Sequence, residues 1–242
     1  MKKLIILLIL TIPIISFAQE NITWEYPVKP GTNEWENLDA YQDKLNAYNI
    51  PTNILKKIST SELVKTCLKY PELRLIFTRN DIQSGYSYIR SKFNGFRELE
   101  TREDAGQELL RTYKSYNPDN FSKNASHLEI GRFIVKFTYI ELLMAQTEIL
   151  KKFNSTDINE LLKLSTKNYK IKKNLKQYYG PMGLNTNVLL MGRFFNSDLS
   201  ELRKDFGDHK VNLFIDYGII TDQEIFDKIV SVCEKKLTNA KL

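Results

Sequence analysis

The chain has 242 residues, 35 Lys and Arg against 29 Asp and Glu for a formal net charge of +6, and 42% hydrophobic residues. That length buries a sizeable core and suits one domain, while so mild a positive charge does not by itself imply nucleic acid. Two cysteines and two distant histidines are too few to assemble a metal centre, so neither a metal nor a cofactor is expected.

The N-terminus reads "KKLIILLILTIPIISFAQ" over residues 2–19. Two lysines precede an unbroken apolar run from Leu4 to Leu10, Pro13 breaks it, and Ser16 and Ala18 stand three and one positions before Gln19. That is the order of a secretory signal peptide with a small-x-small cleavage site. A spanning helix needs about 20 apolar residues, which this run does not supply, so an integral membrane protein is not expected. Cleavage after Ala18 removes Lys2 and Lys3, lowers the formal charge to +4, and places the chain in the periplasm or outside the cell.

Residues 19–31, with Trp24, Tyr26, Pro27 and Pro30, predict an extended N-terminal arm. From residue 32 the pattern is helical throughout. Apolar residues recur at helical spacing in the stripe Trp35, Leu38, Tyr41, Leu45, Tyr48 and again in Ile225, Phe226, Ile229, Val230, Cys233, Leu237. Candidate capping boxes are Ser59 with Glu62, Thr101 with Asp104, Ser126 with Glu129, Asp157 with Glu160, and Thr221 with Glu224. The predicted helices are 32–48, 51–57, 60–69, 71–79, 81–93, 100–116, 126–153, 157–179, 184–196, 198–205, 209–216 and 222–238. Turns are expected at Asn94-Gly95, Asn117-Pro118, Gly180-Pro181 and Gly207-Asp208. Strand alternation is hard to find and no Pro- or Ser-rich linker divides the chain. The expectation is a single, irregular, all-α multi-helix domain over 32–242.

The segments "PVKPGTNEWENL" (27–38), "IPTNILKKISTSELVKTCLKYP" (50–71), "FNGFRELETREDAGQELLRTY" (93–113), "IELLMAQ" (140–146) and "YYGPMGLNTNVLLMGRFF" (178–195) follow one another in an order that resembles an uncharacterised family of exported bacterial proteins. The resemblance spans nearly the whole mature chain and implies an exported helical protein. It brings no activity and no functional residue with it.

No nucleophile elbow, zinc-protease motif or phosphate-binding glycine loop occurs, so no catalytic residue is assigned. His127 falls in the first turn of a helix and His209 in a connection, neither beside an evident nucleophile. Cys67 and Cys233 each lie on the apolar side of a predicted helix, which leaves two buried thiols or one long-range disulfide as alternatives.

Glu141 stands out. In "GRFIVKFTYIELLMAQTEIL" it shares a face with Ile130, Ile134 and Phe137, and a carboxylate placed there must be paired, hydrogen-bonded or protonated. The expectation is a structural ion pair with Arg193, which follows Gly192 and sits among Leu189, Leu190, Phe194 and Phe195; Arg132 and Arg102 are the rivals. The competing idea is a cell-envelope hydrolase using Glu141 as its acid.

The last feature is an asymmetry of charge. No Asp or Glu occurs from Leu161 to Ser197, while Lys163, Lys167, Lys170, Lys172, Lys173, Lys176 and Arg193 fall within it. With Leu161, Leu164, Ile171, Leu175 and Tyr178 as the buried stripe, most of the lysines face solvent. They form an ordinary solvated face or a docking surface for an acidic protein, an anionic envelope polymer or lipid headgroups, with nucleic acid the least favoured partner after export. The 13 tyrosines, paired at 86/88, 113/116 and 178/179, add weak support for binding. The functional expectation is an exported, non-catalytic binding protein.

Overall fold

The computed structural model describes residues 22–239, so the leader expected over 1–18 and the start of the arm lie outside the described residues. Among the described residues the chain is all-α: fourteen α-helices, two short 3-10 segments and no strand. In order these are α1 (Asn33–Glu36), α2 (Tyr41–Ala47), α3 (Thr52–Leu55), α4 (Thr60–Leu68), α5 (Ile82–Lys92), α6 (Asn94–Thr101), α7 (Ala105–Lys114), α8 (His127–Met144), α9 (Thr147–Leu150), α10 (Ser155–Asn174), α11 (Lys176–Phe194), α12 (Ser200–Phe206), α13 (Asp208–Tyr217) and α14 (Glu224–Asn239). The 3-10 turns are Leu73–Thr78 and Asn196–Asp198. No helix here is long and apolar enough to cross a membrane.

Helix α11 is the central element, packed against α8, α10, α13 and α14, while α4 and α7 pack on α8 and α6 packs on α4 and α7. Two features of the sequence let α11 sit there. Gly180 adopts φ 56 and ψ −173, a conformation open to glycine, and Pro181 then begins a fresh helical run with the φ it already prefers. The expected turn at this dipeptide is therefore a kink within α11. At the other end, Gly192 lies so close to α13 and α14 that an added Cβ would stand 2.7 Å from Ile215 Cδ1.

Ser126 and Glu129 form the complete capping box of α8, and Ser59 caps α4 through the Glu62 amide. Elsewhere the caps differ from expectation. Asn154, not Asp157, caps α10, and the Glu224 amide is received by Asp222 rather than Thr221. Thr101 turns its hydroxyl back to the Glu98 carbonyl, so the 101/104 box does not form. The predicted turn at Asn94-Gly95 is instead the start of α6. Asn94 clamps the Ile50 backbone from both sides, accepting from its N–H at 2.9 Å and donating to its carbonyl at 2.8 Å. Ahead of α1, Tyr26 is buried among Tyr48, Tyr70 and Phe93 and donates to the Thr66 carbonyl.

Both cysteines are buried and free. Cys67 sits within the α4 core, and Cys233 lies 3.3 Å from Thr166 Oγ1. Burial pushes the Cys233 thiol up to about 11 and the Cys67 thiol higher still, so neither forms appreciable thiolate near neutral pH. Ellman's reagent at pH 8 should therefore find no fast-reacting thiol in the native protein and two per chain after unfolding without reductant. Recovery of none after unfolding would mean a disulfide.

Candidate functional site

Helix α10 has two faces with opposite fates, and both carry lysine. Its buried positions are Leu161, Leu162, Ser165, Thr166, Asn168, Tyr169 and Lys172. At 3.6 residues per turn the nine steps from Lys163 to Lys172 make about two and a half turns, which puts the two ammonium groups on opposite sides of the helix. Lys163, Lys167, Lys170 and Lys173, with Lys176 at the start of α11, are exposed. Lys172 is not: its side chain is wholly buried.

The inward lysine meets Glu141. Lys172 Nζ donates to Glu141 Oε1 at 2.6 Å and to the Gly183 carbonyl at 3.2 Å, and both side chains of the pair have no solvent exposure. The same carboxylate oxygen accepts from the Tyr113 hydroxyl at 2.7 Å and from Asn187 Nδ2 at 3.0 Å, while Thr186 Oγ1 donates to Oε2 at 2.8 Å. Helices α7, α8, α10 and α11 thus each contribute a side chain to one buried polar centre. The rings of Phe137 and Tyr179 lie 4.9 and 5.5 Å from the ammonium, adding attraction between cation and ring. Burial pushes the Lys172 ammonium below its ordinary value and the adjacent carboxylate opposes that shift. The Tyr113 hydroxyl is driven well above its usual range by burial and then by the Glu141 charge.

These contacts correct two expectations. Glu141 is held in an ion pair, but its cation is Lys172 and not Arg193, Arg132 or Arg102. Lys172 in turn does not belong to an outer docking face. The stripe read from hydrophobicity was displaced because α10 turns Ser165, Asn168 and Lys172 inward toward a polar centre, so the face that looks wet in the sequence is partly the dry one. Glu141 itself has no solvent exposure and borders none of five surface grooves.

Arg193 has a different task. Its Nε donates to the Ile215 carbonyl at 2.8 Å, Nη1 to the Ala145 carbonyl at 2.8 Å, and Nη2 to Gln83 Oε1 and the Asp216 carbonyl, each at 2.9 Å. Ala145 is the C-cap of α8 and residues 215 and 216 lie in the last turn of α13. The guanidinium therefore closes two helix C-termini at once, and their partial negative charges serve it in place of a carboxylate. Burial brings its value down to about 10, which leaves it charged at neutral pH.

On the outer face, two grooves open along the seam between α10 and α14. One, of about 450 Å³, is bordered by Lys163, Lys167 and Lys170 with Ile171 and Leu237. The other, of about 350 Å³, lies by the Gly180 kink and is bordered by Lys173, Lys176, Leu184 and Phe226. Lys170 and Lys173 are paired with Glu234 and Asp227 of α14. Lys163, Lys167 and Lys176 form no salt bridge among the described residues. His127 and His209 are exposed and lie apart from both grooves, and no group of acidic, histidine or cysteine residues suited to a metal occurs among the described residues.

Comparison with known protein families, curated proteins and solved structures gave no match.

Arg193→Met leaves the half-buried Ile215 and Ala145 carbonyls without this donor, together with the exposed Asp216 carbonyl, and should lower unfolding free energy by about 2–4 kcal/mol. Arg193→Lys should restore only a minor part, because one ammonium cannot span both helix ends as the planar fork does. Urea denaturation of the three proteins measures this, and equal stability of the Lys variant and parent would contradict it.

Proposed function

We propose that the protein is an exported, non-catalytic binding protein that docks an anionic partner on the outer face of α10. The observation that carries this reading is the ridge of exposed lysines, Lys163 to Lys176, running ~20 Å along the helix direction with grooves beside it. Lys163, Lys167 and Lys176 are the cations left for a ligand, and no acidic residue within 161–197 dilutes them. Charge of one sign gathered beside concave surface raises the local concentration of oppositely charged ligands.

The leader-like N-terminus and the resemblance to exported helical proteins support placing the chain in the periplasm or outside the cell, which turns the choice of partner toward acidic proteins and anionic envelope polymers. Lys170 and Lys173 keep intramolecular partners and act as the supports of the ridge.

Replacing the three uncompensated lysines together (Lys163→Glu, Lys167→Glu, Lys176→Glu) should reduce retention on polyglutamate resin at low salt by about tenfold or more, with the parent's binding falling steeply as salt rises. Far-ultraviolet circular dichroism should remain that of the parent. Equal retention of the two proteins would leave α10 an ordinary solvated surface.

A further inference from the structure

The larger groove on the α10–α14 seam differs from a plain basic surface in what lies between its lysines. Ile171 and Leu237 supply its apolar lining, and Thr166 offers no free hydroxyl there, because its Oγ1 is engaged with Met191 Sδ and Cys233 Sγ. Lys163, Lys167 and Lys170 border the same groove. A lysine stem is itself four methylenes long, so it extends an apolar wall while its ammonium stays at the wet edge. Glu234 of α14 is paired with Lys170. An apolar trough with a cationic rim and a volume of about 450 Å³ has the make-up of a small-molecule site, mostly apolar with a few charged groups that fix one end of the ligand.

We infer that this groove takes a single-chain anionic amphiphile of the fatty-acid kind, its tail along Ile171 and Leu237 and its carboxylate at the ammonium groups of Lys163 and Lys167. The inference rests on the anionic-docking reading and narrows it to a ligand class. A monomeric ligand is favoured over a bilayer surface by the placement of apolar residues. Among the described residues the large hydrophobic side chains that stand out into solvent are Tyr41, Phe77, Leu128, Met182 and Tyr217, and none belongs to α10 or α14. A membrane-docking face needs such groups beside its lysines to enter the acyl region. Here the apolar surface lies in an open groove between two helices, where one chain can lie along half-buried Ile171 and Leu237.

The test is titration calorimetry of the purified protein with octanoate, decanoate, dodecanoate and tetradecanoate below their micellar concentrations. Dodecyltrimethylammonium serves as the control with opposite head charge. Affinity should rise two- to fourfold per added methylene, the range for partial to full burial of a CH₂, and the cationic control should not bind. Leu237→Ser, which removes apolar lining without adding charge, should weaken dodecanoate by more than tenfold and leave polyglutamate retention as in the parent. A second variant, Lys163→Gln with Lys167→Gln, should weaken every carboxylate by a similar factor whatever its length. Affinity that does not change with chain length, equal binding of the cationic control, or binding to phosphatidylglycerol vesicles without binding of monomers would each overturn the inference. Polyglutamate retention reports on the docking reading separately, so the two fail independently.

Discussion

A carboxylate and an ammonium with no access to water hold the centre of this protein together, because neither is tolerable there without the other. Moving each ion out of water costs several kcal/mol, and only close approach with the remaining lone pairs and protons satisfied offsets that cost. Glu141 meets the condition through Lys172, Tyr113, Thr186 and Asn187, and Lys172 through Glu141 and the Gly183 carbonyl. Apolar packing tolerates a helix turned by several degrees about its axis. A network of directed bonds from α7, α8, α10 and α11 to one carboxylate does not, so the pair fixes the rotation of α10 as well as its position.

That rotation is what links the interior to the surface. With Lys172 held inward, geometry sends Lys163, Lys167 and Lys170 outward along the α14 seam. The Lys170–Glu234 and Lys173–Asp227 bridges then join α10 to α14 between the two grooves. Such exposed bridges contribute little to stability, with a typical worth below about 1 kcal/mol. Their importance is positional: they keep two lysine stems along the seam and leave Lys163, Lys167 and Lys176 as the uncompensated charges. Arg193 performs a comparable service at the far end of α11, where it ties the C-termini of α8 and α13 to α5 through Gln83.

Local signals in the sequence led to the right class of structure. Helical spacing in Ile225 to Leu237 and the Ser126–Glu129 box needed no knowledge of tertiary contacts, and α8 and α14 stand where those signals put them. Breaks inside the long predicted helices were missed. The 126–153 run is divided at Ala145 and Gln146, the latter buried and bonded to the Leu142 carbonyl. Asn94 looked like a turn residue and serves as a tertiary clamp on Ile50, which no neighbouring residue announces. The buried centre was half legible. Glu141 declared itself by standing on an apolar face. Lys172 did not, since it follows Ser165 and Asn168, whose polarity suggests solvent. The same residues, read as a polar stripe complementary to a buried carboxylate, are the signal that identifies its cation. Sequence alone points Arg193 to a carboxylate, whereas two helix ends provide the negative charge it needs.

A double-mutant cycle across the buried pair tests this account most directly. Glu141→Gln and Lys172→Met, alone and combined, would be followed by urea denaturation at neutral pH with far-ultraviolet circular dichroism. Each single change leaves one ion buried without its partner and should cost about 3–5 kcal/mol. The combined change removes both charges and should cost clearly less than the sum of the two, with a coupling of about 2 kcal/mol or more. Additive losses would contradict the claim that Lys172 and Glu141 hold each other, and with it the claim that their pairing sets which lysines of α10 face outward.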